Sequence, residues 1–502
     1  MTIKRYDIGG FYNKLRDSQI DSTRSINSYQ SMDPITQKKT IIPASGHKFA
    51  KDITASDAHR AGFVREDKGF SYIVVGNEVI ELNTILAETV LGTIGTTSGY
   101  VGVSSNEKEV VFVDGTAGWR WDIAGATFSQ IFFGGPPFPQ PGPGIGILPV
   151  DITNLNNFLI VVDPTTNKWH VSQPNSAKDW ATLDSVVFTG AGSILVGCRA
   201  LHERLFIFGN LTTQVWSNPV VLVNPPGVVP FPFIKDTSIL IEHGLAARGS
   251  LKEAFELMFY ISNDSSGVSG IQMIEGTLPQ KISTPAMDLA LQELTTIEDA
   301  QALLYKENGL IFYQLSFSTD NKTFVYVFPD TTPRQMGSWH ELQTTAGDRH
   351  IASTHFYFTR KHYIGSYLDQ RLYELSYLFS TYDGELIKNV LFGPLIETEG
   401  HKRIRIDRFE VVMVTGLIDP PVPVTDPSQQ PQLFLSLSRD GGKTYGNIRK
   451  VSVGNTSDFQ KRVIFRRLGV LRGRNIIPKI EFYSKIPLYI TGIVLTYQDL
   501  PQ

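Results

Sequence analysis

An all-β chain organised around a β-propeller is the fold this sequence predicts, and three observations predict it. Short apolar runs rich in β-branched and aromatic residues flank Gly, Asn and Asp turn chemistry, the signature of a β-hairpin. These turns recur near positions 76, 114, 163, 209, 263, 318 and 366, about 40–55 residues apart, the period of a four-stranded propeller blade. Helical periodicity is scarce along the chain. About seven blades over residues 61–395 follow, with a C-terminal β-sandwich or barrel at 396–502 and an extended arm at 1–60.

The hairpins come in order. Residues 70–75 turn at Gly76-Asn77 into 79–82, and 110–113 turn at Asp114-Gly115 into Trp119-Arg-Trp121. Residues 158–162 turn at Asp163-Pro164 towards Trp169, and 205–208 turn at Gly209-Asn210 towards Trp216. Residues 257–261 turn at Asn263-Asp264 towards Ile271 and Met273, and 310–315 turn at 318–321 into 324–328. Residues 356–358 and 363–365 lead on to Leu372-Tyr373. Gly supplies positive φ, and Asn and Asp bond their own backbone, so each break has a conformational cause. One blade cannot bury both faces; radial stacking buries them and leaves only short edges. The competing arrangement is an unrelated series of hairpins in two sandwiches.

Residues 285–294 carry Met287, Leu291 and Leu294 at i, i+4 and i+7, enough for about two helical turns. Residues 298–305 fit helix or strand. The Pro-rich stretches 133–149 and 219–232 read as stiff loops projecting from the propeller, and 419–431 as a loop within the last domain. Beyond 396, alternation marks strands at 404–414, 432–438, 462–466, 480–484 and 490–497. The first 60 residues are polar and weakly periodic, an arm that gains order by packing on other elements.

Of the 502 residues, 41% are hydrophobic, 11% aromatic and only 19% charged, which excludes global disorder. Few charges and many rings suit a subunit that covers surface against partners. A single cysteine, Cys198, excludes an internal disulfide framework and fits a reducing cytoplasm. The opening Met1-Thr-Ile-Lys-Arg has no apolar core, so no signal peptide is expected. No apolar run approaches the ~18 residues of a membrane span. The net charge of -3 hides an asymmetry: residues 401–490 hold 16 Lys/Arg against 7 Asp/Glu, a net of +9, and the remainder carries -12.

Ser438-Arg-Asp440-Gly-Gly442-Lys-Thr444-Tyr445 fits an Asp-box, a turn in which Ser, Asp and Thr bond the backbone, Gly supplies positive φ and the ring pins the turn. Sialidase propellers carry this structural device away from their chemistry. A propeller glycosidase would need two carboxylates facing across a cleft, and Asp114, Asp163 and Asp264 all sit at hairpin turns where Asp has a conformational reason. His350, His355 and His362 match no metal-ligand spacing. Gly142-x-Gly144-x-Gly146 is interrupted by Pro and opens no helix, so it is no dinucleotide loop. No catalytic residue, cofactor or metal is expected.

The basic set is Arg403, Arg405, Arg408, Arg449, Lys450, Lys461, Arg462, Arg466, Arg467, Arg472 and Arg474. Eight of these, all but Arg449, Lys450 and Lys461, form the expected subunit or adaptor interface. The alternatives are DNA phosphates and a solvated β-surface.

The order of features resembles a known family. Ser25-Ile-Asn-Ser-Tyr29, with Pro43-x-x-Gly46-x-x-Phe49, opens the match. Leu91-Gly-Thr-Ile-Gly95, Phe112-Val-Asp-Gly115 and Trp180-Ala-Thr-Leu183 follow, then 205–209 with 213–216, Glu298-Asp-Ala300, 309–313 and Trp339-His-Glu-Leu342. Ser438 to Tyr445, Phe465-Arg-Arg-Leu-Gly469 and Ile490-Thr-Gly492 close it. The chain is similar, over about 20–500, to the packaged-DNA stabilisation proteins of short-tailed phages, also called tail hub or nozzle proteins. The Pro-rich loops look like insertions, and Tyr445 stands where Trp is frequent. The resemblance implies a non-enzymatic virion protein assembled in the host cytoplasm. Six copies would form a ring below the portal and its ring adaptor. The ring would extend the channel for viral double-stranded DNA, retain the genome, and carry tail spikes, fibres or a needle. Outside the resemblance, a cellular propeller scaffold shares the same fold.

Overall fold

The second strand of each blade shows why these runs are apolar without alternation. Val110–Val113, Leu159–Val162, Leu205–Phe208 and Leu257–Ile261 are all fully buried, because a neighbouring blade covers each face of the sheet. Burying each such side chain contributes about 1.5–3 kcal/mol relative to exposing it. The computed structural model describes all residues except 1, 7–8, 10, 15–22, 33–37, 132–146, 181–183, 191, 220–230, 331–336, 399–400, 416–430, 455–457 and 501–502. Nearly all of the three Pro-rich loops therefore lies outside the described residues.

Seven antiparallel blades follow one another along the chain. The first runs His59–Arg65, Phe70–Val75, Glu78–Leu82 and Glu88–Thr93; the second begins at Gly102–Ser105, the third at Asp151–Leu155 and the fourth at Leu195–Leu201. In the fifth, the inner edge is split into Gly244–Leu245 and Lys252–Ala254 around a 3-10 turn at Arg248–Ser250. The sixth begins at Gln301–Glu307 and the seventh at Ala352–Phe358. Inner strands pack against their neighbours in chain order, and Ala352–Phe358 returns to His59–Arg65, closing the ring. Each of the seven turns marked in the sequence joins the second and third strands of one blade. Residues 298–305, ambiguous in sequence, enter the inner strand of blade six. A helix at Pro285–Gln292 links blades five and six; Thr284 caps it by accepting from the Met287 amide, Pro stands in its first turn, and Met287 and Leu291 are buried.

Apart from Thr381–Tyr382 and Glu385–Leu386, which extend the sheet of blade seven, the strands outside the blades make a sandwich. One sheet holds Thr2–Tyr6, Ser28–Met32, Lys39–Pro43, Ile490–Asp499, Arg403–Met413, Val463–Arg466 and Val470–Arg472. The other holds Arg24–Ile26, Lys388–Phe392, Ile477–Tyr483, Gln432–Ser438 and Arg449–Ser452. This second sheet continues blade six, because Ile26 pairs in parallel with Glu341. Between the sheets lie Leu391, Ile404, Phe409, Leu433, Leu435, Phe465, Ile480 and Leu495.

The arm takes its order from these sheets. Its strands enter both sandwich sheets, and Gly46–Asp52 becomes the outer strand of blade seven, paired with Arg371–Ser376. Early and late parts of the chain thus close the ring together. A Cβ at Gly46 would collide with the Phe379 and Thr381 carbonyl oxygens, which belong to backbone and cannot rotate away. Gly46→Ala is therefore expected to destabilise the protein by about 3 kcal/mol, lowering the melting temperature by several degrees. An unchanged midpoint in scanning calorimetry would contradict this closure.

Candidate functional site

The strand Arg403–Met413 presents two faces. Ile404, Ile406 and Phe409 enter the sandwich core, while Arg403 and Arg405 face out. The pairing with Ile490–Asp499 shifts between Ile406 and Arg408, and this bulge at Asp407 puts Arg408 outside as well. Arg403 then stands directly opposite Arg472, and Arg408 opposite Arg466. Directly opposed like charges destabilise an isolated sheet.

Some of this charge is neutralised locally. Glu410 accepts from Arg408 at 2.5 Å and from Arg462 in a bidentate pair at 2.8 and 2.9 Å. The Arg462 and Arg408 guanidiniums hold the Glu410 carboxyl below its ordinary range. Arg405 donates to Asp407 and Gln498, both at 2.9 Å. Among the described residues, Arg403, Arg466, Arg467, Arg472 and Arg474 form no ion pair, and all five are exposed. Arg467 occupies a turn at φ 58°. The structure thus gathers Arg403, Arg405, Arg408, Arg466 and Arg472 on one sheet face, with Arg462 reaching it through Glu410. Arg449 and Lys450 lie on the edge strand of the other sheet. Sequence reasoning missed Arg5, which pairs with Val494 in the same sheet, across that strand from Glu410; the short strand Thr2–Tyr6 carries no apolar run to mark it.

The Asp-box segment is a hydrogen-bonded turn. The Ser438 hydroxyl donates to Asp440 Oδ1 at 2.7 Å and accepts from the Gly442 amide at 2.7 Å. Asp440 accepts from the Thr444 amide at 2.9 Å and its hydroxyl at 2.6 Å. These bonds hold the Asp440 carboxyl well below the carboxylate range, the Thr444 hydroxyl most strongly. Gly442 sits at φ +88°. Tyr445 packs edge-on against Phe392, with the Lys479 ammonium over both rings.

The hairpin aspartates cap their own turns. Asp114 accepts from the Thr116 hydroxyl and the Thr116 and Ala117 amides, Asp163 from Thr165, and Asp264 from the Ser266 amide. His355 Nε2 lies 3.0 Å from His362 Nδ1, whereas His350 packs on His47 and Tyr382. Among the described residues no three potential ligands gather as a metal site.

A closed seven-bladed propeller carrying a sandwich on its sixth blade, with an outward arginine face, defines a multidomain β-scaffold. Residues 27–380 match the family model described as bacteriophage P22 Gp10, beta-propeller, and residues 388–497 match bacteriophage P22 Gp10, beta-sandwich. The chain belongs to this bacteriophage structural protein family. No curated protein matches it significantly. Among solved structures, virginiamycin B lyase from Staphylococcus aureus is 12% identical, with 66% of this chain and 99% of that chain covered and a TM-score of 0.41. The WD40 domain of Neurospora crassa Pan2 is 8% identical, with 64% and 89% covered and a TM-score of 0.38. No helix among the described residues is long and apolar enough to cross a membrane.

Proposed function

We propose that this chain is a non-enzymatic subunit of the phage tail, six copies of which form a nozzle below the portal and its ring adaptor. The ring extends the channel for double-stranded DNA, retains the packaged genome, and anchors spikes, fibres or a needle. Its place is the virion, after assembly in the host cytoplasm. The observation that carries this reading is the sandwich face on which Arg403 opposes Arg472 and Arg408 opposes Arg466. Such a face is unfavourable in an isolated subunit and becomes favourable when an acidic neighbour covers it. The rest of the chain, at -12, supplies one acidic candidate in the adjacent copy; the adaptor is the other. Heterologous contacts of that kind close into rings. The turn geometry at Asp114, Asp163 and Asp264 supports the non-enzymatic reading, since each carboxylate is engaged by its own hairpin.

Charge reversal at Arg466 and Arg467 to glutamate tests it. The variant is expected to lose most of its incorporation into tails, measured as copies per purified particle, while its melting temperature stays near wild type. Unchanged incorporation would remove the assignment of this face.

A further inference from the structure

We propose that the central bore of the propeller binds a small oxyanion of the phosphate class, held between Arg199 and Lys252. The bore is a cavity of about 290 Å³ lined by the inner strands of six blades, just below the usual size of small-molecule pockets (~300–1,000 Å³). Arg60, Tyr100, Arg199, Lys252, Gln301 and His355 reach it from blades one, two, four, five, six and seven.

The charges there divide into those already engaged and those left over. Arg60 donates to the carbonyls of Gly76, Thr96, Ser98 and Gly99 and is fully used as a structural tie. Asp151, buried behind the wall in blade three, accepts from the Tyr100 hydroxyl at 3.1 Å and the Cys198 amide at 3.0 Å. Arg199 gives one nitrogen to the Ile152 carbonyl at 3.1 Å. Its other reaches Asp151 and the Tyr100 hydroxyl only at 3.5 and 3.4 Å, long for charge-assisted bonds. Lys252 has no hydrogen bond or ion pair among the described residues. The neighbouring Glu253 also lines the cavity and feels Arg199, but it forms no ion pair with Lys252 or Arg199 among the described residues.

Lys252 lines this cavity. It interacts electrostatically with Arg199 of blade four, Asp151 of blade three and His355 of blade seven. All three of Arg199, Lys252 and His355 line the same central cavity. Burial, with Arg199 adding to it, pushes the Lys252 ammonium down to about 8. An unpaired cation beside a guanidinium in a confined space is unfavourable. An oxyanion between them supplies the missing acceptors to three ammonium donors and a guanidinium edge. It would also tie blades four and five together across the split inner edge of blade five.

Calorimetric titration of inorganic phosphate into the full chain at pH 7 and constant ionic strength tests this, alongside Lys252→Met and Lys252→Arg. The wild type is expected to bind one phosphate per chain and to melt higher with phosphate than with matched chloride. Lys252→Met should bind at least tenfold more weakly and lose that shift, whereas Lys252→Arg should retain both. Lys252→Met should also melt no lower than wild type in phosphate-free buffer, since it removes an uncompensated charge. A wild type that responds to phosphate as it does to chloride, or a Met variant that binds as well as wild type, would overturn the proposal. The result is independent of ring assembly, which the arginine-face variant probes separately.

Discussion

Asn27→Ala is expected to destabilise the protein by roughly 3–5 kcal/mol and to uncouple the sandwich from the propeller. Asn27 is 1% exposed and adopts φ 57°. Its amide donates to the Gln343 and Lys388 carbonyls, both at 2.9 Å, and its side-chain oxygen accepts from the Gln343 amide at 2.8 Å and the Tyr382 hydroxyl at 3.4 Å. Those four bonds exhaust the capacity of the side chain, and they join blade six, the first strand after the propeller, and the segment flanking the ring closure. Removing them strands buried backbone groups, at about 1–3 kcal/mol each, and leaves alanine in a left-handed conformation that costs roughly 1–2 kcal/mol more. Arg24, bonded to Glu341 at 2.6 and 2.5 Å, and the backbone pairing with Glu341 would then hold the same junction. Calorimetry should then show two separated transitions and cleavage within 380–388 by added protease. Asn27→Gly, which relieves only the backbone conformation, should fall between. A single transition at the wild-type temperature would contradict the role given to this residue.

Acidification is expected to open the ring at blade seven between about pH 6 and 4. His47, His59, His340, His350, His355 and His362 gather on blades six, seven and one and on the closing strand, and all but His355 and His362, which are half-buried, are buried. Burial lowers all six: His47 and His59 to about 4, and His340, His350 and His355 to about 3. Like charge deepens the effect, since His350 faces His47, and His355 faces His362 and Lys252. The Gln370 carbonyl and Asp369 offset it in part at His59. The aromatic neighbours Tyr305, Tyr373 and Tyr382 carry no charge that would stabilise an imidazolium. The folded values lie below the ordinary 6.5, so the unfolded state binds more protons under acid. The stability held by the neutral rings is complete above about pH 6.5 and lost as the pH falls towards 3–4. Each ring contributes a slope of about 1.4 kcal/mol per pH unit within that window. Denaturant midpoints should therefore fall steeply below pH 6, with amide exchange accelerating first at 46–52 and 371–376. Midpoints that stay level from pH 6.5 to 4.5 would contradict it.

Much of the propeller was legible because its information is local. A turn such as Asp114-Gly115 carries its own reason for bending, and a doubly covered strand such as Val110–Val113 must be apolar at every position. The Ser438 to Tyr445 turn was legible for the same reason: the side-chain bonds of Ser438, Asp440 and Thr444 that shape it lie within eight residues. The closing strand was not, because Gly-His-Lys-Phe-Ala-Lys-Asp satisfies its backbone against a strand more than 300 residues away. Nothing in its own pattern names that partner. The run of sheet from blade six into the sandwich hid likewise in a single pairing, Ile26 with Glu341. The Ile26-Asn27 dipeptide was visible as a motif, but its use of left-handed φ and four tertiary bonds was not. Alternation placed Arg403 and Arg405 on one face; the bulge that adds Arg408, and the register that opposes Arg466 and Arg472, needed the folded sheet. Lys252 gave no signal, because its meaning comes from inner strands that converge only when the ring closes.

Reconstruction of the tail vertex in purified virions by cryo-electron microscopy tests the central claim most directly. The account predicts six copies encircling the DNA path, each propeller intact with its outer strand drawn from residues 46–52, and the Arg403–Arg466–Arg472 face covered by an acidic surface. Particles that are complete without this polypeptide, or a density in which that arginine face borders open solvent, would contradict it.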